Sequence, residues 1–248
     1  MNKSRMIDNI ILIVLLIGVS TFPVNLLVKD IFWYYVIEAL LMAAVLLFLL
    51  YYERRHPDVV PYQGRFNLRH FIWLLPSFLI VFSNFIYALI LKEPYVGSFS
   101  YHYIPQAIFI VLNVIVEEYI FRKHLLGNLN HSKKIIRILI AAAIFALCHL
   151  TLFFSTFNPA SLIVVAYSFG LGIVLGLFYC YTNSLYPCIL LHLLFNIIND
   201  FLFEIMFNVG TALWYYLINV IVAIVVTLYL LFVYLFVLKK SEEEVFLH

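Results

Sequence analysis

The sequence predicts an all-α polytopic membrane protein: a transmembrane helical bundle of about eight spans, with both termini on the cytoplasmic side. Three observations carry that prediction. Hydrophobic residues fill 65% of the 248 positions and charged residues only 11%, at a mean hydropathy of +1.05, whereas a soluble domain carries about a quarter charged residues. Apolar segments recur at span length, and a bilayer crossing needs about 20 mainly apolar residues. Basic residues, finally, gather in alternate breaks between those segments. The chain reads as one membrane domain over 1–248, with no room for a separate soluble domain. A net charge of +2 gives no reason to expect nucleic acid as a partner; the lipid bilayer is the partner the composition implies.

The elements follow in order. Lys3 and Arg5 precede an apolar run from Ile7 to about Val28, too long for the apolar region of a secretory signal and lacking a clean A-x-A site. It is expected to remain as the first helix. A short turn at Lys29-Asp30 separates it from a second segment at 31–52, and further segments follow near 70–91, 103–121, 134–154, 160–181, 185–206 and 212–238. With strict alternation, one side receives the N-tail, Arg54, Arg55, Arg65 and Arg69, then Arg122, Lys123, Lys133, Lys134 and Arg137, and lastly Lys239 and Lys240. These are thirteen of the fifteen basic residues; Lys29 and Lys92 are left for the other side. The positive-inside rule makes the rich side cytoplasmic and the protein a multi-pass component of the cell membrane. A seven-span count would spoil this alternation.

Other features have structural explanations. Gly170, Gly172 and Gly176 include a small-xxx-small pair that lets helix backbones approach closely. Trp33, Trp73, Trp214, Tyr51 and Tyr52 fall near segment ends, where amphipathic rings favour the interface. Cys148, Cys180 and Cys188 lie in apolar segments without CxxC spacing and read as buried hydrophobes. Cys148 precedes His149, but adjacent helical residues point about 100° apart, which argues against a Cys/His nucleophilic pair.

Ionisable groups inside hydrocarbon are costly, and each is a site hypothesis. The fourth segment carries Glu117-Glu118 followed by Arg122, the fifth carries Phe145 and His149, and the seventh carries His192 and Asn196. Glu118 and Arg122 are four apart and share a helical face, so Arg122 is expected to neutralise and orient Glu118. Glu117 is turned about 100° away and is expected to face the interior, where a carboxylate suits general acid–base work. Imidazole can share a water with a carboxylate, and His plus Asn can donate hydrogen bonds to a developing oxyanion. Those are the parts of a hydrolase. The same Glu117, His149 and His192 are also a plausible zinc set, although no HExxH is present.

The three motifs, Glu117-Glu118-x-x-x-Arg122, Phe145-x-x-x-His149 and His192-x-x-x-Asn196, stand in the order of the EExxxR, FxxxH and HxxxN/D motifs of the CAAX-protease and bacteriocin-processing family, also called the Abi family, which the chain resembles. The run from Gly170 through Tyr181-Thr182-Asn183-Ser184-Leu185 is similar to that family as well, so the resemblance covers about 100–200, the expected catalytic core. It implies an intramembrane endopeptidase in which Glu117 and His149 activate a water and His192 with Asn196 forms the oxyanion site. Glu118, Arg122 and Phe145 would hold the site's shape. It further implies a cavity opening toward the cytoplasm, a peptide or small membrane-protein precursor as substrate, and no required cofactor, with zinc as the alternative. The Ile-, Phe-, Lys- and Asn-rich composition tilts the expected role toward bacterial peptide maturation or bacteriocin self-immunity rather than CAAX-like processing.

Spacing alone leaves one difficulty. Glu117 and His149 are equidistant from residue 133 and so sit at similar heights, but His192 is offset from His149 by roughly 12 Å at 1.5 Å per residue. Two other classes of function compete. One is a non-catalytic immunity or regulatory protein that holds a peptide or a membrane-protein partner. The other is a transporter using Glu38, Asp200 and Glu204, for which no repeat or broken-helix pair speaks.

Overall fold

The computed structural model describes residues 3–57, 66–92, 94–97, 100–129, 133–151, 154, 160–207 and 213–238. Arg65, Lys239 and Lys240 lie outside the described residues, as do the side chains of Lys3, Arg5, Glu204 and Trp214. Among the described residues the regular structure is helical, with no strand. The chain is a polytopic helical bundle. Among the described residues, seven helical stretches are long and apolar enough to cross a membrane. The eighth expected segment forms a helix over Lys134–Cys148, 15 residues long, or about 22 Å against a hydrocarbon thickness of about 30 Å.

Helices α1 (Lys3–Ser20), α2 (Val24–Leu27) and α3 (Ile31–Arg55) open the bundle. The turn between the first two crossings is made by Asp30, whose Oδ1 accepts from the Phe32 and Trp33 amides at 3.0 and 3.2 Å and so caps two otherwise unpaired donors of α3. The third crossing is interrupted. Helix α4 (Leu68–Leu74) tightens into a 3₁₀ stretch over Leu75–Phe82 and resumes as α5 (Ser83–Leu91). Pro76, at the start of that stretch, lacks the amide hydrogen that a continuous α-helix requires there.

Helix α6 (Tyr103–Glu118) continues without a break into a π-helical segment, Tyr119–Leu126, and α7 (Lys134–Cys148) follows. Helix α8 (Ala160–Thr182) ends at Asn183, which takes the left-handed conformation at φ 56°, a conformation asparagine tolerates better than most residues. Helix α9 (Tyr186–Leu194) also passes into a π-helical segment, Phe195–Leu202, before α10 (Phe203–Phe207); α11 (Leu213–Val233) and the turn Tyr234–Leu238 close the described chain.

Helix α8 is the centre of the bundle, and its glycines explain how it gets there. A Cβ on Gly172 would lie 3.0 Å from Ala142 Cα, and one on Gly176 would lie 2.8 Å from Ile138 Cγ2. Only glycine lets α7 and α8 pack backbone to backbone. The third crossing is tied to the π segment after α9 by Asn199, whose Oδ1 accepts from Ser83 Oγ at 2.9 Å and from the Asn84 amide at 2.8 Å. These groups are buried, where unmade hydrogen bonds are expensive.

Helices α3 and α6 run parallel. Tyr35 and Phe109 have ring centroids 6.0 Å apart near one end, and Glu53 meets Lys123 and His124 near the other, at 2.7 and 2.9 Å. Lys134 lies over the Tyr181 ring at 5.0 Å. The basic ends of α3, of the π segment after α6 and of α7 are therefore gathered, with the C-terminal end of α8, at one end of the bundle.

Candidate active site

Glu118 is fully buried, and so is its partner Arg122, with Nε 3.2 Å from Oε2. The contact is off-axis, so it is an ion pair more than a hydrogen bond. The flat guanidinium also lies over the Phe145 ring, 4.7 Å from its centroid, a cation–π arrangement suited to arginine. The second Glu118 oxygen, Oε1, accepts from His192 Nδ1 at 2.9 Å. Glu118 thus links α6 to α9, and Arg122 links both to α7 through Phe145.

Glu117 takes the other direction, as the 100° step between neighbours requires. Its Oε1 accepts from Asn113 Nδ2 at 2.9 Å, and its side chain keeps 15% exposure. It lines a cavity of about 260 Å³ together with Asn113, Cys148 and His149. His149 Nδ1 is 2.9 Å from the Phe145 carbonyl. A carbonyl only accepts, so Nδ1 carries the hydrogen, and Nε2 is the lone-pair nitrogen of the neutral ring. Glu117 and His149 therefore come to one cavity, from α6 and from the end of α7.

His192 is placed differently. It is 3% exposed, with Nε2 3.7 Å from Glu117 Oε2, too long for a hydrogen bond. Its ring neighbours Phe145 at 5.9 Å. Phe145 is four residues, or about 6 Å, closer to the basic end than His149, so the height offset between the two histidines survives in part. His192 stands behind Glu117, beside the base of the cavity.

Asn196 shares no hydrogen bond with His192, Glu117 or His149 among the described residues. The chain turns π-helical at Phe195, where four residues are still close to one turn, so Asn196 stays near the helical face of His192 without a hydrogen bond to it. A second π segment begins at Tyr119, directly after the glutamate pair, and the closing stretch Tyr234–Leu238, far along the chain from the site residues, is a third. Such segments are rare and occur often at functional sites; none has a sequence signature that periodicity detects. Asn113 and Glu53 were also missed. Asn113 lies four residues before Glu117, which is the one signal that could have found it.

Two further expectations change. Cys148 lines the same cavity as His149, because the helix ends at Cys148 and the cavity is broad enough to meet both residues. The cavity also runs from Glu117 toward Ser20 and Tyr34, at the end away from the basic cluster, which is not the end that the resemblance and the positive-inside reading together implied. As for zinc, no group of three or more His, Cys, Asp or Glu side chains among the described residues is arranged to hold a metal ion.

Residues 99–198 match the family model described as Rce1-like, type II CAAX prenyl endopeptidase. This stretch of the chain is similar to that family. The Rce1-like stretch takes in all three motifs and agrees with the family resemblance they carry. The match supports a CAAX-type intramembrane endopeptidase in general, hence a protease in a multi-pass membrane bundle. No curated protein and no solved structure gives a significant match.

Proposed function

We propose that the chain is an intramembrane endopeptidase that hydrolyses a peptide bond with a water activated by Glu117 and His149. The observation that carries this reading is their presence in one cavity, with Glu117 held by Asn113 and His149 presenting its lone-pair nitrogen. Glu117 takes a proton from the water as the oxygen attacks the carbonyl carbon. The same proton is then passed to the departing amine, so that the carboxylate is regenerated. His149 Nε2 orients the water. His192 and Asn196 remain the proposed donors to the oxyanion; His192 already donates through Nδ1, so Nε2 can donate only when the ring carries both protons. Glu118 and Arg122 hold His192 and Phe145 in place.

The substrate is a peptide or a small membrane-protein precursor. Maturation of a secreted peptide or bacteriocin self-immunity is favoured over prenyl-protein processing, and the two are separable by experiment. Purified protein in detergent is offered a farnesylated C-terminal CAAX peptide and a library of internally quenched decapeptides, beside the Glu117→Gln variant. Cleavage by the wild type, lost by on the order of a hundredfold or more in Glu117→Gln at unchanged melting temperature, supports the reading. Equal cleavage by both would refute it.

A further inference from the structure

A second buried carboxylate lines the cavity that holds Glu117. Glu38, on α3, is 3% exposed and lines the cavity beside Tyr34, which lies four residues before it on the same helical face. No Lys or Arg is among the residues lining the cavity, and no ion pair among the described residues reaches Glu38. Burying a carboxylate without a cation is costly, and this one is buried against an open space whose lining mixes polar and apolar side chains. A neighbouring hollow, lined by Asn25, Lys29 and Tyr35, also reaches Tyr34, so Glu38 stands on the way from that end of the bundle to Glu117.

The parallel packing of α3 and α6 sets the distance. With Tyr35 level with Phe109, Glu38 is level with about residue 112; with Glu53 level with Lys123, it is level with about residue 108. Glu117 is then five to nine residues further along α6, or about 8 to 14 Å. An extended peptide covers that in two to four residues at about 3.3 Å each.

We infer that Glu38 and Tyr34 form a substrate subsite for a cationic side chain, lysine or arginine, two to four residues from the scissile bond. The inference rests on the peptidase reading. An ammonium or guanidinium entering the cavity would make a charge-assisted hydrogen bond to Glu38, while flanking apolar substrate residues meet Leu16 and Phe109.

The test uses the full-length protein in detergent and a quenched decapeptide library in which each position in turn carries Lys, Met or Glu. The expected wild-type result is a preference for Lys over Met of on the order of tenfold or more in kcat/KM at one position two to four residues from the cut. In Glu38→Gln that preference falls to about twofold or less, mainly through KM, at an unchanged melting temperature, which reports folding. Tyr34→Phe, which keeps the carboxylate, retains part of the preference. An absent Lys preference in the wild type, or one unchanged in Glu38→Gln, overturns the subsite and leaves the peptidase reading standing. A wild type that cleaves no peptide removes the peptidase reading and the subsite with it.

Discussion

Replacing Arg122 with methionine isolates what the buried ion pair contributes. The change keeps an unbranched apolar stem but leaves Glu118 charged, fully buried, and with His192 Nδ1 as its remaining donor. Breaking a buried pair from one side costs about 3–5 kcal/mol, which for a chain of this size corresponds to roughly 6–20 °C in melting temperature. Glu118→Gln should cost less, because the stranded guanidinium still lies 4.7 Å from the Phe145 centroid, an interaction of up to about 2 kcal/mol when desolvated. Gln also keeps an acceptor for His192. The double variant, Glu118→Gln with Arg122→Met, removes both charges and should be more stable than Arg122→Met alone. Thermal unfolding of the four proteins in one detergent, followed by tryptophan fluorescence, measures the cycle. The reasoning fails if Arg122→Met melts within about 2 °C of the wild type, or if the double variant is less stable than the arginine variant by the full cost of the glutamate change.

Three further outcomes are expected. Gly172→Leu forces α7 from α8, since even a Cβ would meet Ala142 at 3.0 Å; a loss of about 3 kcal/mol or failure to fold is expected, seen as aggregation on size-exclusion chromatography, whereas Gly18→Ala, with nothing within 4 Å, should be neutral or stabilising by up to about 1 kcal/mol. Asn199→Ala strands the Ser83 hydroxyl and the Asn84 amide and should cost about 2–3 kcal/mol, measured by thermal melt, with Ser83→Ala restoring part of it in the double variant. Asn113→Ala frees Glu117 Oε1 and should lower kcat by on the order of tenfold with little change in melting temperature; an unchanged kcat would show that the amide does not orient the carboxylate.

Glu117 and Glu118 show how far local geometry reaches. The 100° step between neighbours and the four-residue step to Arg122 are properties of any α-helix, so the division between a cavity-facing and an ion-paired glutamate was legible before the fold was known. The glycines of α8 were legible for the same reason, since close packing requires small residues wherever two helices cross. The π segments mark the limit, since a π segment is held by what packs around it rather than by a local pattern.

By itself the sequence determined the spans, their alternating charge, and which residues are too polar to lie in hydrocarbon without a purpose; those follow from transfer free energy and helix periodicity, both local quantities. Only the tertiary structure decided which of the polar residues meet. It set Asn113 and His149 at Glu117 and turned His192 onto Glu118. It also drew Glu38 into the cavity from α3, a helix that begins 72 residues before α6, because the lateral order of helices and the depth of each in the bundle are fixed by side-chain packing between segments, about which no single segment carries information.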